Sequence, residues 1–220
     1  MKQKRITLFV GHYGSGKTNL AVNYATHLHR QGERVVLADM DIVNPYFRSK
    51  DSEEELRALG VQTLSSPYAN TNLDAPAMPA SFYGIFEHQD RLAVLDVGGD
   101  DRGAVALGRY VPMILAENDY EMIFVANAYR ALTPTPKDAL EVLREIEAAC
   151  KLPVTAIANN SHLGEFTDAD TVLSSLQYVQ TLCELSGLPL VMTAFTENLA
   201  PDLADRVPHP FPITLQKKYY

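Results

Sequence analysis

Gly11-His12-Tyr13-Gly14-Ser15-Gly16-Lys17-Thr18 follows directly on the apolar run of residues 6–10. Its spacing, G-x-x-x-x-G-K-[ST], is that of a loop joining a buried strand to a helix and wrapping a polyphosphate. Gly11, Gly14 and Gly16 let the backbone turn tightly enough for successive N–H groups to converge on one anion. The helix that begins near Lys17 adds its unpaired amides and the positive end of its dipole. Lys17 is placed to reach the β- and γ-phosphates, and the Thr18 hydroxyl to ligate Mg²⁺. Leu20, Ala21, Tyr24, Ala25 and Leu28 continue at helical spacing, as this context requires. Gly11, Gly14, Ser15, Gly16, Lys17, Thr18 and Asn19 are therefore the candidate nucleotide-binding residues of the loop.

Outward from this loop, strand-like and helical segments alternate. Residues 6–10, 35–38, 92–95, 122–126, 154–158 and 190–194 are near-continuous apolar runs, suited to strands buried on both faces of a parallel sheet. Ser52-x-x-Glu55 reads as a capping box for a short helix that Gly60 closes. Thr135-Pro136-Lys137-Asp138 offers an N-cap, a proline in the first turn and an acidic first turn. Thr167-x-x-Asp170 opens a further helix, expected to run to about Leu185 with Gly187 just beyond it. The fold class implied is α/β, a three-layer, doubly wound, mostly parallel sheet with ligands at the strands' carboxyl ends. No repeat, low-complexity stretch or linker divides the chain, so residues 1–220 are expected to form one nucleotide-binding domain. Residues 65–81, rich in Pro, Asn and Asp, lack any period and are either a surface connection or a loop serving a substrate or partner.

The bulk properties narrow the function classes. The chain has 220 residues, 46% apolar and 21% charged, with a net charge of −8. An acidic balance without basic runs argues against sequence-independent nucleic-acid binding. No apolar run approaches the about 20 residues of a membrane span, and cleavage after the short N-terminal apolar run would destroy the loop. A cytoplasmic location is the expectation. Cys150 and Cys183 lie far apart, form no C-x-x-C, and read as small core residues near helix ends. A cluster-bridging pair across a dimer is the alternative.

Two acidic motifs stand where a metal would be needed. Asp39-Met40-Asp41 follows the second strand, and Asp96-Val97-Gly98-Gly99 follows the strand of residues 92–95. Magnesium beside a triphosphate needs carboxylates that hold its water shell and a group that orients the attacking water. Gly98 and Gly99 would let the chain move or donate amides to a γ-phosphate, as a nucleotide-sensing switch requires. Late in the chain, Ala158-Asn159-Asn160-Ser161-His162 brings an Asn amide that could read a purine edge. The guanine-reading pattern N-K-x-D is absent, which favours adenine.

Taken together, these motifs resemble the MinD/ParA/CobQ-CobB-like class of P-loop ATPases, which includes the nitrogenase iron protein and Mrp-type cluster carriers. The likeness runs from Ile6 to about Asn198. It implies that Lys17 is a catalytic and phosphate-binding residue, that Asp41 positions the hydrolytic water, and that Thr18, Asp39 and Asp96 serve the metal. Asn160 matches the adenine-contacting Asn. The family's extra lysine, which reaches across a nucleotide-sandwich dimer, falls at His12, and the next glycine is replaced by Tyr13. Arg48, Arg102 or Arg130 could substitute as the cationic group, with Arg102 ranked first because it follows the switch motif. The amphipathic C-terminal membrane helix of MinD has no counterpart in residues 210–220, so no membrane partner is expected.

The function that follows is a Mg²⁺-dependent ATP-binding protein with low basal ATPase turnover. It would bind ATP and ADP, switch conformation, and act as a possible homodimer on a protein or metallocofactor partner. The alternatives are a small-molecule kinase or ATP-dependent ligase on the same fold, and a nucleotide sensor that does not hydrolyse.

Overall fold

A computed structural model describes residues 3–41, 56–58, 60–65, 80–99 and 101–215 of the chain. Its strands are β1 (Ile6–Val10), β2 (Val35–Asp39), β3 (Gln62–Leu64), β4 (Leu92–Asp96), β5 (Tyr120–Ala126), β6 (Ala156–Asn159), β7 (Leu190–Thr196) and β8 (Pro210–Ile213). They form one eight-stranded sheet in the order β3-β2-β4-β1-β5-β6-β7-β8. Every pairing is parallel. The described helices are α1 (Lys17–Arg30), α2 (Gly84–Glu87), α3 (Asp101–Gly108), α4 (Val111–Glu117), α5 (Pro136–Cys150), α6 (Ala169–Ser174), α7 (Leu176–Ser186) and α8 (Ala200–Leu203). The architecture is the three-layer, doubly wound sheet that the alternation of apolar runs implied.

The central strands carry apolar residues on both faces, and their pleat sorts those residues into two cores. Ile6, Leu8 and Val10 of β1 point into one core with Leu107, Ile114, Leu143 and Leu182 from the helices that cover it. Phe9 points the other way, into the core formed by Leu20, Ala21, Ala25 and Leu28 of α1. In β2 the same alternation sends Val36 and Ala38 to the first core and Val35 and Leu37 to the second. At roughly 25 cal/mol per Å² of apolar surface removed from water, this two-sided burial is what holds the layers together. One consequence matters for the site: β1 is clamped between β4 and β5, so the loop that leaves its carboxyl end starts from a fixed point. The chain runs outward from β1 to β2 and β3, returns at β4 and then crosses to β5, which puts that loop where the strand order reverses.

Local signals held in some places and moved in others. Thr135 is the N-cap of α5, accepting from Asp138 N, while Asp138 accepts from Thr135 N, and Pro136 fills the first turn. The next cap is one residue later than the sequence implied. Asp168, not Thr167, caps α6 in a box with Thr171, and Thr167 instead bonds Gly164 O through its hydroxyl. The expected single helix also breaks at Ser175, whose Oγ accepts from Asn159 Nδ2 and donates to Val172 O. A tertiary contact to β6 has overridden helix continuity there. Gly187 closes α7 in the left-handed region, as expected.

The edge strands β3 and β8 went unread in the sequence. Pro210 and Pro212 are tolerated in β8 because it lies at the sheet's edge, where ladder donors are not all needed. Its end is fastened back to α1: Asn23 Nδ2 donates to Thr214 O and Thr214 N donates to Asn23 Oδ1, both at 2.9 Å. The capping box at 52–55, nearly all of the 65–81 segment, Arg48 and the Arg102 side chain lie outside the described residues. No helix among the described residues is long and apolar enough to cross a membrane.

Candidate functional site

The β1–α1 loop takes the form that its glycines require. Gly11 has φ 144° and Gly16 φ 90°, conformations costly for any residue with a Cβ. Space forbids a side chain as well: a Cβ on Gly11 would lie 2.7 Å from Val125 O, and one on Gly16 would lie 2.2 Å from Asn160 Nδ2. The loop closes with Ser15 N donating to His12 O at 3.1 Å. Helix α1 then begins at Lys17 with Gly16 as its cap, no side chain capping it and no acidic residue in its first turn. Its amino-terminal charge is therefore left for an external anion. Lys17 is buried, and its Nζ donates to His12 O at 3.2 Å, which curls the ammonium over the loop.

Parallel register delivers the acids. Asp39 ends β2 directly opposite Asp96 at the end of β4, and Asp96 in turn neighbours Phe9 of β1. Both carboxylates are buried. Thr18 Oγ1 donates to Asp96 Oδ2 at 2.6 Å, whereas Asp96 Oδ1 is buried without a hydrogen-bond partner. Asp41 follows in a tight turn in which its own N–H donates to Asp39 Oδ1 at 3.0 Å. Burial raises the Asp96 pKa from 3.8 to about 6. The Lys17 charge and the Thr18 hydroxyl act against that rise, and the nearby Asp41 adds to it. Lys17, Thr18, Asp39, Asp41 and Asp96 thus converge at one edge of the sheet.

An unsatisfied carboxylate oxygen beside a threonine hydroxyl fits a hard, oxygen-seeking divalent cation. Magnesium at a polyphosphate keeps most of its ligands as waters and phosphate oxygens, so one or two protein groups suffice. Among the described residues no group of three or more His, Cys, Asp or Glu forms a metal cage.

Gly98 and Gly99, after Asp96, lie against this edge. A Cβ on Gly99 would come within 2.7 Å of both Lys17 Nζ and Tyr13 N, and one on Gly98 within 3.4 Å of Asp41 Cα. The segment after β4 therefore touches the lysine and the second aspartate through bare backbone. On the outer side of the loop, His12, Tyr13, Gly99, Ala104, Val142, Glu145 and Ile146 line a cavity of about 300 Å³. On its other side, Asn19, Asn160, Ser161, His162, Thr167 and Phe195 are among the residues lining a narrow cleft with no carboxylate among its described lining residues.

Asn160 stands at the border between loop and cleft, with its Nδ2 donating to Ser15 O at 2.7 Å. In this state its amide donor is engaged by the loop. Asn159 is structural, taking Ser161 N and Oγ on its Oδ1 and reaching Ser175 with its amide. Of the cationic substitutes for the residue at position 12, Arg130 is the one whose side chain is described. Its guanidinium lies over Gly14, with Cζ 3.2 Å from where a Cβ would stand. Local sequence gave it no priority, because its approach depends on β1 and β5 pairing, Val10 opposite Phe124.

No protein-family model and no curated protein matches the chain. Solved structures do. FtsY from Mycoplasma mycoides aligns at 17% identity with a TM-score of 0.57, covering 89% of this chain and 61% of that one. The cell division protein FtsY of Thermotoga maritima gives 18% identity and 0.56, covering 90% and 64%. The signal recognition particle receptor FtsY of Elizabethkingia anophelis, in complex with GDP, gives 20% and 0.51, covering 88% and 58%. The chain spans about three fifths of the length of these structures. At such identities the likeness is one of fold, and it does not single out the MinD, ParA or CobQ/CobB branch.

Proposed function

We propose that this chain binds Mg²⁺·ATP in the β1–α1 loop and hydrolyses it slowly, as a switch acting on a protein or metallocofactor partner. The observation that carries the reading is the Thr18–Asp96 pair, one carboxylate oxygen bonded and the other buried and bare, beside a buried lysine under an uncapped helix. Lys17 holds the β- and γ-phosphates, and the amides from Gly14 to Asn19 share the anion. Thr18 and Asp96 would hold the magnesium, and the Asp39 carboxylate would accept hydrogen bonds from water bound to it. Bound magnesium supplies positive charge that offsets the charge developing on the phosphate oxygens. Asp41 accepts a hydrogen bond from the attacking water and aligns it. The water oxygen bonds to the γ-phosphorus as the bridging β–γ oxygen departs, giving ADP and phosphate.

Adenine is preferred over guanine on chemical grounds. Guanine presents an N–H and an amine that a carboxylate accepts, and the described residues lining the cleft beside Asn160 include none. Asn160 meets the adenine edge once its amide leaves Ser15 O. Contact between Gly99 and Lys17 supports a switch role, since a γ-phosphate seated at the lysine must act on that backbone. Tyr13 in the loop, Val105 in α3 and Leu132 after β5 are exposed and suit a docking partner or a second copy of the chain.

Titration calorimetry with ATP and GTP, each with Mg²⁺, tests the assignment. ATP is expected to bind, GTP to bind at least roughly tenfold more weakly, and Lys17→Ala to abolish binding, since it removes a buried charge-assisted contact. Undiminished ATP affinity in Lys17→Ala, or a preference for GTP, overturns it. A second reading, phosphoryl transfer to a small acceptor, is favoured by the cavity of about 300 Å³ at His12 and Glu145. Phosphate transfer to a metabolite in place of phosphate release would select it. ATP binding with neither outcome would select the non-hydrolysing sensor.

A further inference from the structure

The turn after β5 is built to hold one arginine in place. Asn127 organises it: its main-chain oxygen accepts from Arg130 N and from Thr133 Oγ1, and its Oδ1 accepts from Tyr129 N. Three further contacts anchor the turn to the rest of the fold. Ala128 N donates to Ser161 Oγ at 3.0 Å, Tyr129 OH to Thr171 O at 2.7 Å, and Tyr178 OH to Thr133 O at 2.8 Å. A segment of seven residues thus carries hydrogen bonds to β6's carboxyl end, to α6 and to α7. From this pinned turn the Arg130 guanidinium extends over Gly14, with Cζ, Nη1 and Nε 3.2, 3.4 and 3.5 Å from where a Cβ would stand.

What the guanidinium does there is unspent. Arg130 forms no ion pair among the described residues, and its Nε is buried with no hydrogen-bond partner. A buried charged donor left bare costs free energy unless something occupies it. The group beside it is the loop whose amides gather a polyphosphate, and guanidinium donors match phosphate oxygens. We infer that Arg130 is a phosphate-binding residue acting in cis, whose Nε donates to the polyphosphate lying over Gly14. It provides from within the chain the fixed positive charge that His12 does not. This inference rests on the nucleotide reading above.

The test is calorimetry of ATP, ADP and AMP binding to wild type and to Arg130→Gln, Arg130→Ala and Arg130→Lys, with melting temperatures measured alongside. Expected is a loss of roughly ten- to a hundredfold for ATP and ADP in the Gln and Ala variants, the span of one charge-assisted hydrogen bond. Partial recovery is expected in the Lys variant, which restores the charge without the fork. AMP, lacking β- and γ-phosphates, should bind the variants as it binds wild type. An unchanged ATP affinity in Arg130→Gln, while Lys17→Ala abolishes binding, overturns the inference and leaves the nucleotide reading intact. An equal loss for AMP also overturns it, assigning Arg130 a structural part. If wild type binds no nucleotide, both fall together.

Discussion

Replacing Asp96 by Asn should make the nucleotide-free protein more stable while removing its response to magnesium nucleotide. The Asp96 carboxyl titrates near 6 in the fold against 3.8 in an open chain, mainly because it is buried. An acid raised in this way costs nothing while protonated in both states, loses stability as pH climbs between the two values, and costs a constant amount above them. A shift of about two units at about 1.4 kcal/mol each gives about 3 kcal/mol. Asn keeps an oxygen for the Thr18 hydroxyl, but it places an amine where Oδ1 now has no partner. That unmet donor returns about 1 kcal/mol. The net expectation near neutral pH is a gain of about 2 kcal/mol, or about 4–8 °C in Tm for a chain of this size. Denaturant unfolding of both proteins with a chelator present, over a pH series from about 3 to 8 that spans these two pKa values, reads it directly. The advantage of the variant should grow as pH rises through 4 to 6 and then level off. Adding Mg²⁺·ATP should reverse the order, since ligand at about a hundred times its Kd contributes about 2.7 kcal/mol to the form that binds it. A difference independent of pH, or a variant weaker than wild type without metal at neutral pH, refutes the reasoning.

Two further outcomes follow from the geometry. Gly99→Ala sets a methyl 2.7 Å from Lys17 Nζ and from Tyr13 N, so ATP affinity measured by calorimetry should fall by an order of magnitude or more as lysine and loop are displaced. Thr135→Ala removes the α5 capping box, and should lower stability by about 1 kcal/mol, about 2–4 °C in Tm, without changing nucleotide affinity.

The inner strands were legible because they are buried on both faces, so composition alone marked them. β3 and β8 escaped because an edge strand needs neither unbroken apolarity nor every donor; Gln62 and Thr63 are polar, and Pro210 and Pro212 argue locally against a strand. The Thr135 cap was readable because its partner lies three residues away. The break at Ser175 was not, since its cause is Asn159, sixteen residues distant and on another element. The site divides in the same way. Lys17, Thr18, Asp39, Asp41 and Asp96 each end an apolar run or sit in a tight motif, and parallel register does the rest. Arg130 carries no local mark. Named in the sequence only as one of three cationic candidates and behind Arg102, it gains precedence when β5 lies beside β1 and the turn behind it is pinned from three directions. Asn160, expected at a purine, lies beside the loop with its amide on Ser15 O, a contact that local sequence did not foreshadow.

The paired amide bonds between Asn23 and Thr214 give helix α1 a second duty. Its first residue, Lys17, stands at the proposed anion site, and its seventh, Asn23, grips the chain just past β8, the outermost strand on the β7 side of the sheet. A rotation of the helix on ligand arrival must either carry residues 214–215 with it or break two hydrogen bonds at once. The rim of the sheet at β8 is thereby mechanically geared to the loop at the end of β1, and because Leu215 also lines the cleft beside Asn160, the residues after β8 meet the loop region from two sides.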